Sequence, residues 1–235
     1  MGGMRDRGPR VTAAAFAVAC SGIGDAHASP WGRAPKEELT IYRFDYYRSS
    51  GQKRAFEQIV LEIYLEKGLI EKWSLSGKLA QSWQVTEFQQ IRDDRFGVVD
   101  ADVGLQRQLT NSDYGATAIR VGYAFDTGTQ SLALGNDGSG RDSAIDLAFL
   151  WGHGREREFM SLRTGYRASL GDDADFLNTD LSLGYHADES ATFLIDVYSS
   201  IAVKNARNKG VDYDLVTVAP AVLLHLSDRR KLQIG

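Results

Sequence analysis

Apolar and polar side chains alternate along most of this chain, from Glu38 to the C-terminus. In the segment 117–126, for example, the odd-numbered residues are Thr, Ile, Val, Tyr and Phe, whereas the even-numbered ones include Arg120 and Asp126. A repeat of two places successive side chains on opposite faces of a β-strand. Turn residues interrupt the pattern, and no segment repeats with a helical period. The chain is therefore predicted to be all-β.

The alternating segments are long for strands. They run to about 10–14 residues, which exceeds the usual length of about 5–6 in globular proteins and reaches the roughly 9–11 needed to cross a bilayer obliquely. The pattern predicts ten strands and a partial eleventh, at residues 38–48, 54–66, 72–86, 97–109, 115–126, 142–152, 157–168, 176–187, 190–203, 212–226 and 229–235.

The placement of aromatic residues favours a membrane setting for the apolar face. The aromatic residues Tyr123, Trp151, Tyr166 and Tyr185 lie near strand ends, where they predict the interfacial girdles of a transmembrane barrel. A mean hydropathy of −0.29 does not oppose this, because barrel strands carry their apolar residues only at alternate positions. The predicted fold is an antiparallel up-and-down transmembrane β-barrel.

The polar face of such a barrel lines its lumen. The candidate lumen-lining residues are Arg43, Asp45, Glu62, Lys78, Asp100, Asp102, Arg120, Asp146, Arg163, Asp180, His186 and Asp196. Their acids and bases are mixed, so no anion or cation preference is predicted. Two interpretations stay open: a polar constriction that selects permeants, or a paired network that fills a narrow barrel. Arg107 has the opposite parity, which indicates either a strand-end position or a local change of register.

Connection lengths alternate along the predicted strands. Those after even-numbered strands are short, whereas 87–96, 127–141 and 202–211 are longer, as expected for an outer-membrane barrel. Bacterial single-chain barrels have even strand numbers, so about 12 strands are expected in the complete protein, with the last ones truncated after Gly235. This predicts an open edge whose backbone groups would be unsatisfied in lipid.

The N-terminal residues have the composition of a secretory signal peptide. Three arginines precede a small-residue apolar run, and Ala26-His27-Ala28 fits a cleavage site. The predicted organisation is a signal peptide at 1–28, a short periplasmic segment at 29–37 and the barrel at 38–235. An amphipathic N-terminal helix is one alternative, and lipidation of Cys20 is another. Export predicts the outer membrane of a Gram-negative bacterium, with membrane lipid and the barrel-assembly machinery as partners.

Catalytic, metal and cofactor sites are not predicted, and the chain is not expected to be an enzyme. Ser182, Asp180 and His186 share a strand face, but their spacing spreads them along the lumen and no nucleophile elbow is nearby. The run Gly135–Gly140 lacks the residues of a phosphate or calcium loop and is predicted to be an external loop. The formal net charge of −4 gives no sign of nucleic-acid binding.

Three stretches carry a family resemblance: Gly68-Leu69 followed by Trp73–Gly77, the segment GVVDADVGLQRQL at 97–109, and LALGNDGSGRDSAIDLAFLW at 132–151. Together they resemble the outer-membrane proteins grouped as "meta-pathway of phenol degradation"-like transporters. The resemblance implies a barrel that passes small molecules, apolar or aromatic in kind. A non-transporting structural or surface barrel and a soluble periplasmic ligand-binding barrel remain as alternatives.

Overall fold

A computed structural model describes residues 30–50, 54–88, 91–127, 142–204, 206, 214–227 and 230–234. The predicted signal peptide and the Gly135–Gly140 run lie outside the described residues. The described part of the chain has eleven strands, and it contains no helix long and apolar enough to cross a membrane. The strands are β1 (Glu38–Ser50), β2 (Arg54–Ile70), β3 (Trp73–Phe88), β4 (Ile91–Asn111), β5 (Gly115–Ala124), β6 (Ala144–Gly154), β7 (Glu158–Ser169), β8 (Asp175–His186), β9 (Ala191–Lys204), β10 (Leu215–Ser227) and β11 (Arg230–Ile234).

These strands form a closed barrel, which confirms the predicted all-β fold. Each strand pairs antiparallel with the next, and β1 closes the barrel by pairing parallel with β11. An odd number of up-and-down strands makes the first and the last run in the same direction, so their pairing is necessarily parallel. The expected open edge was wrong for residues 40–44, which pair with 230–234.

The two ends of the barrel differ in their connections. The turn end carries the connections 71–72, 112–114, 155–157 and 187–190, and the loop end carries the two longest ones, 125–143 and 205–214. The predicted loop at 87–96 was wrong, because β3 and β4 extend as a paired hairpin to Phe88 and Ile91. A register shift opposite Ala80 and Gln81 explains the error: it moves the inward positions from even numbers, such as Asp100, to odd ones, such as Arg95.

The barrel is apolar outside and polar inside. On β2, Leu61 and Leu65 are 54% and 53% exposed, whereas the intervening Glu62 and the following Glu66 are 8% and 1% exposed. The same division recurs on β5 and β6, where Val121 and Leu147 are exposed and Arg120 and Asp146 are buried. A soluble barrel has the opposite polarity, with its apolar side chains in the interior.

Candidate functional site: the barrel interior

The interior of the barrel brings together the residues that the sequence predicted to line a lumen. All twelve lie on the inward-facing side of their strands. Nine of them are buried, and Asp100, Asp102 and His186 are half-buried. Arg107 faces outward near the turn end of β4, where its guanidinium lies 5.5 Å from the centre of the Trp73 ring. Its parity therefore reflects a position near a strand end.

Arg163 of β7 links its two neighbouring strands. Its Nη2 donates to both carboxylate oxygens of Asp146 on β6, at 2.7 and 2.8 Å, and its Nη1 donates to Asp180 Oδ2 on β8 at 3.0 Å. Arg163 and Asp180 are cross-strand partners in the register, which places their side chains side by side. Arg167 Nε adds a longer contact of 3.5 Å to Asp146 Oδ2. The cluster is thus two acids neutralised by two bases.

A second cluster joins β3, β4 and β5. Lys78 Nζ lies 2.7 Å from Asp100 Oδ2 and 3.6 Å from Asp102 Oδ2, and Arg120 forms an ion pair with Asp102. Arg120 Nε also donates to Ser76 Oγ at 3.2 Å. The guanidinium of Arg120 occupies space that a side chain at Gly104 would fill. These two clusters define the paired wall, the inward face of β3–β8.

The remaining inward face, formed by β9–β11, β1 and β2, is named the seam wall because it contains the β1–β11 closure. Arg43 is 2% exposed and its Nε lies 2.9 Å from Asp45 Oδ2 on the same strand. Its Nη1 and Nη2 have no hydrogen-bond partner among the described residues. Gln233 Nε2 donates to Asp196 Oδ2 at 3.1 Å. Arg43 also lies opposite Glu62 of β2 in the register, so this wall brings one base and one acid side by side.

The N-terminal segment, residues 30–33, lies inside the turn end of the barrel, a placement that the sequence did not predict. Pro30 is fully buried and, with Trp31, packs against inward-facing Gly152. The carbonyl of Trp31 accepts a hydrogen bond from Gln108 Nε2 at 2.7 Å. Arg33 donates its backbone N–H to Ser74 Oγ at 3.1 Å. This segment narrows the mouth of the interior at that end.

A cavity of about 550 Å³ remains beside this segment. Arg33 and the half-buried Lys231 line it, together with Asp196 farther in along β9. Arg33 Nε lies 3.5 Å from Glu66 Oε2, whereas Lys231 forms no ion pair within the described part of the chain. The register explains this, because Lys231 lies opposite Ile41 on β1 and His225 on β10 rather than opposite a carboxylate.

Uncharged polar residues complete the interior, and sequence reasoning did not single them out. Gln58 Nε2 donates to Ser82 Oγ at 2.8 Å, and Gln84 Nε2 donates to the same oxygen at 3.1 Å. Their parity would have found them, because they occupy the same alternate positions along the strands as the charged residues.

His186, one of the twelve predicted residues, contacts Thr192, with 2.8 Å between Nδ1 and Oγ1. Thr192 Oγ1 in turn lies 3.2 Å from His225 Nε2.

The four predicted girdle residues lie on the outward face at both ends of the barrel. Tyr123 and Tyr166 are near the loop end, and Trp151 and Tyr185 are near the turn end. The three tyrosines are 38–44% exposed. Tyr123 packs edge-on against Phe125, with ring centres 5.0 Å apart. Two aromatic levels therefore flank the apolar belt.

Comparisons with protein-family models and with curated proteins find no match to this chain.

Proposed function

We propose that this chain is an outer-membrane β-barrel of a Gram-negative bacterium and acts as a channel or facilitator for the passive passage of small molecules. The observation that carries the proposal is the polarity of the barrel: exposed Leu, Ile, Val and aromatic residues outside, and buried charged residues inside. A hydrocarbon surrounding makes such an exterior favourable, whereas in water an apolar belt around the barrel would exceed the few hundred Å² of contiguous apolar surface found on soluble monomers.

The same polarity argues against a soluble periplasmic binding barrel. Such a protein would place its apolar residues in the interior, around the ligand. Here Glu66, Gln84 and Asp146 are among the most deeply buried side chains, whereas Leu147 is 57% exposed. The exterior would have to be covered by a partner for the protein to remain in solution.

A non-transporting structural barrel is the second candidate, and the paired wall favours it. Barrels of about eight strands are filled by side chains, and those of about 16 enclose an aqueous channel. Eleven strands lie between these sizes, and ion pairs on the paired wall occupy part of the interior. The N-terminal segment further narrows one mouth. A channel in this barrel would therefore be narrow.

Cell fractionation followed by gel mobility with and without heating tests the membrane assignment. An outer-membrane band that shifts on heating supports the proposal, whereas a periplasmic protein without a shift contradicts it. Solute flux into liposomes containing the purified barrel then separates the two candidates. Measurable uptake of small apolar or aromatic solutes supports a channel, and a folded barrel without uptake supports the structural alternative.

An arginine introduced into the apolar belt provides a sharper test. Phe149→Arg places a charge in the middle of β6, and at a bilayer midplane it should cost about 2–4 kcal/mol of folding free energy. Leu109→Arg is the matched control near the turn end of β4, where the expected cost is about 0–1 kcal/mol. Unfolding by denaturant in lipid vesicles measures both costs. Equal effects of the two variants would contradict a lipid-facing belt.

A further inference from the structure

We propose that the cavity at the turn end binds a small organic anion, a carboxylate with a short apolar body. Binding of such an anion does not depend on the proposed function. The inference that molecules of this class also pass through the barrel rests on the proposed channel function. The cavity is large enough for such a ligand, since small-molecule sites span about 300–1,000 Å³ and this one has about 550 Å³.

The wall of the cavity is apolar over much of its area. Trp31 covers it from the N-terminal segment, and Phe159 faces it from β7. Aliphatic side chains from three strands of the seam wall complete this surface: Leu39, Ile41, Leu194 and Leu223. A hydrocarbon body would leave water on this surface, which is favourable by about 25 cal/mol for each Å² buried.

Lys231 supplies the charge that selects an anion. It is half-buried, and no carboxylate of the described chain forms an ion pair with it. A partly desolvated ammonium without a counter-ion is unfavourable, so a bound carboxylate would provide the missing partner. Arg33 lines the same cavity and adds a second positive charge, although Glu66 lies 3.5 Å from it.

Repulsion by the acids around the cavity determines how far a bound anion can enter it from the turn end of the barrel. Asp196 lies two positions farther in than Leu194 on the same face of β9. The side-chain amide of Gln233 donates a hydrogen bond to one of its carboxylate oxygens. Its charge opposes deeper movement of a carboxylate. Asp113 and Glu156 are exposed in the turns at the rim, where solvent screens them, and the exposed Arg155 is beside Glu156. The favourable place for the ligand charge is therefore near Lys231.

Three probes with the same hydrocarbon body and different charges test the site: hexanoate, hexanamide and hexylammonium. Calorimetric titration of the full barrel in detergent should show hexanoate binding at least about tenfold more tightly than hexanamide, the effect of one charged hydrogen bond. Hexylammonium should bind more weakly than either. Acetate, which lacks the apolar body, should bind more weakly than hexanoate. Equal binding of hexanoate and hexanamide by the unaltered protein would overturn the proposal.

Lys231→Met should weaken hexanoate binding by about tenfold and leave hexanamide binding unchanged. Lys67→Met is the matched control, because Lys67 is exposed on the outward face at the same end of the barrel. Lys231→Arg keeps the charge and should retain binding. A Lys231→Met barrel that shows the heat-dependent gel shift yet binds hexanoate as tightly as the unaltered protein would refute the site.

Flux measurements separate this inference from the channel function. Charge-dependent binding of hexanoate without its passage across liposomes would retain the binding site and contradict the channel. Solute passage without charge-dependent binding would retain the channel and contradict the binding site.

Discussion

The two walls of the barrel interior carry similar charged residues in different registers. On the paired wall the register brings acids and bases side by side: Arg163 lies opposite Asp180, and Lys78 lies opposite Asp102. On the seam wall Arg43 lies opposite Glu62, but Lys231 lies opposite His225 and Ile41, and no base is among the register partners of Asp196. Strand register, rather than composition, therefore decides which interior charges stabilise the barrel and which remain able to meet a ligand.

The largest difference between the walls is expected between two of the buried arginines, Arg163 of the paired wall and Arg43 of the seam wall. Arg163→Met should lower the free energy of unfolding by about 3–5 kcal/mol, because it leaves the buried carboxylates of Asp146 and Asp180 without their main partner. Denaturant unfolding in lipid vesicles measures this effect. Arg155→Met, in an exposed turn, is the control and should change the free energy by less than about 0.5 kcal/mol. A loss below about 1 kcal/mol for Arg163→Met would show that its ion pairs contribute little.

A smaller loss is expected where a glycine makes room for a side chain of the paired wall. A methyl group at Gly104 would displace the guanidinium of Arg120 from Ser76 and Asp102, so Gly104→Ala should cost about 2 kcal/mol. Gly77→Ala is the matched control, since its added carbon would meet only the Asp102 carbonyl oxygen, at an ordinary 3.7 Å. The same unfolding assay compares them. Equal stability of the two variants would contradict the packing described for Arg120.

Arg43→Met tests the seam wall and should cost only about 1 kcal/mol. The substitution removes the contact with Asp45 and the positive charge opposite Glu62, but it also removes two buried nitrogens that have no hydrogen-bond partner among the described residues. The lost contact and the relieved desolvation offset each other. The unfolding free energy of this variant is compared directly with that of Arg163→Met. A loss equal to that of Arg163→Met would erase the energetic difference between the walls.

The sequence predicted the inward faces well because parity depends only on a repeat of two. Glu62 and Arg163, for example, are assigned to the interior from their neighbours alone. The extension of β3 and β4 was missed because the register shift near Asp100 reverses the parity. The N-terminal segment was missed because its placement depends on contacts distant in sequence, such as Trp31 with Gly152. Ion pairing likewise depends on register, which alternation does not reveal.

Asp188 lies in the turn between β8 and β9, where the paired wall meets the seam wall, and the smallest effect is expected there. Hydrogen bonds from the hydroxyl and amide of Ser190, with another from the Ala191 amide, lower the pKa of the Asp188 carboxyl below its ordinary value. A lowered folded-state pKa means that this stabilisation is present above the unfolded pKa and is lost as the pH falls through the folded one. Asp188→Ala should therefore destabilise the turn slightly at neutral pH and have a diminishing effect under acid conditions. Amide exchange at Ser190 and Ala191, compared at neutral and acid pH, measures this. A deficit in protection that stays constant as the pH falls would show that the ionised carboxylate does not stabilise this turn.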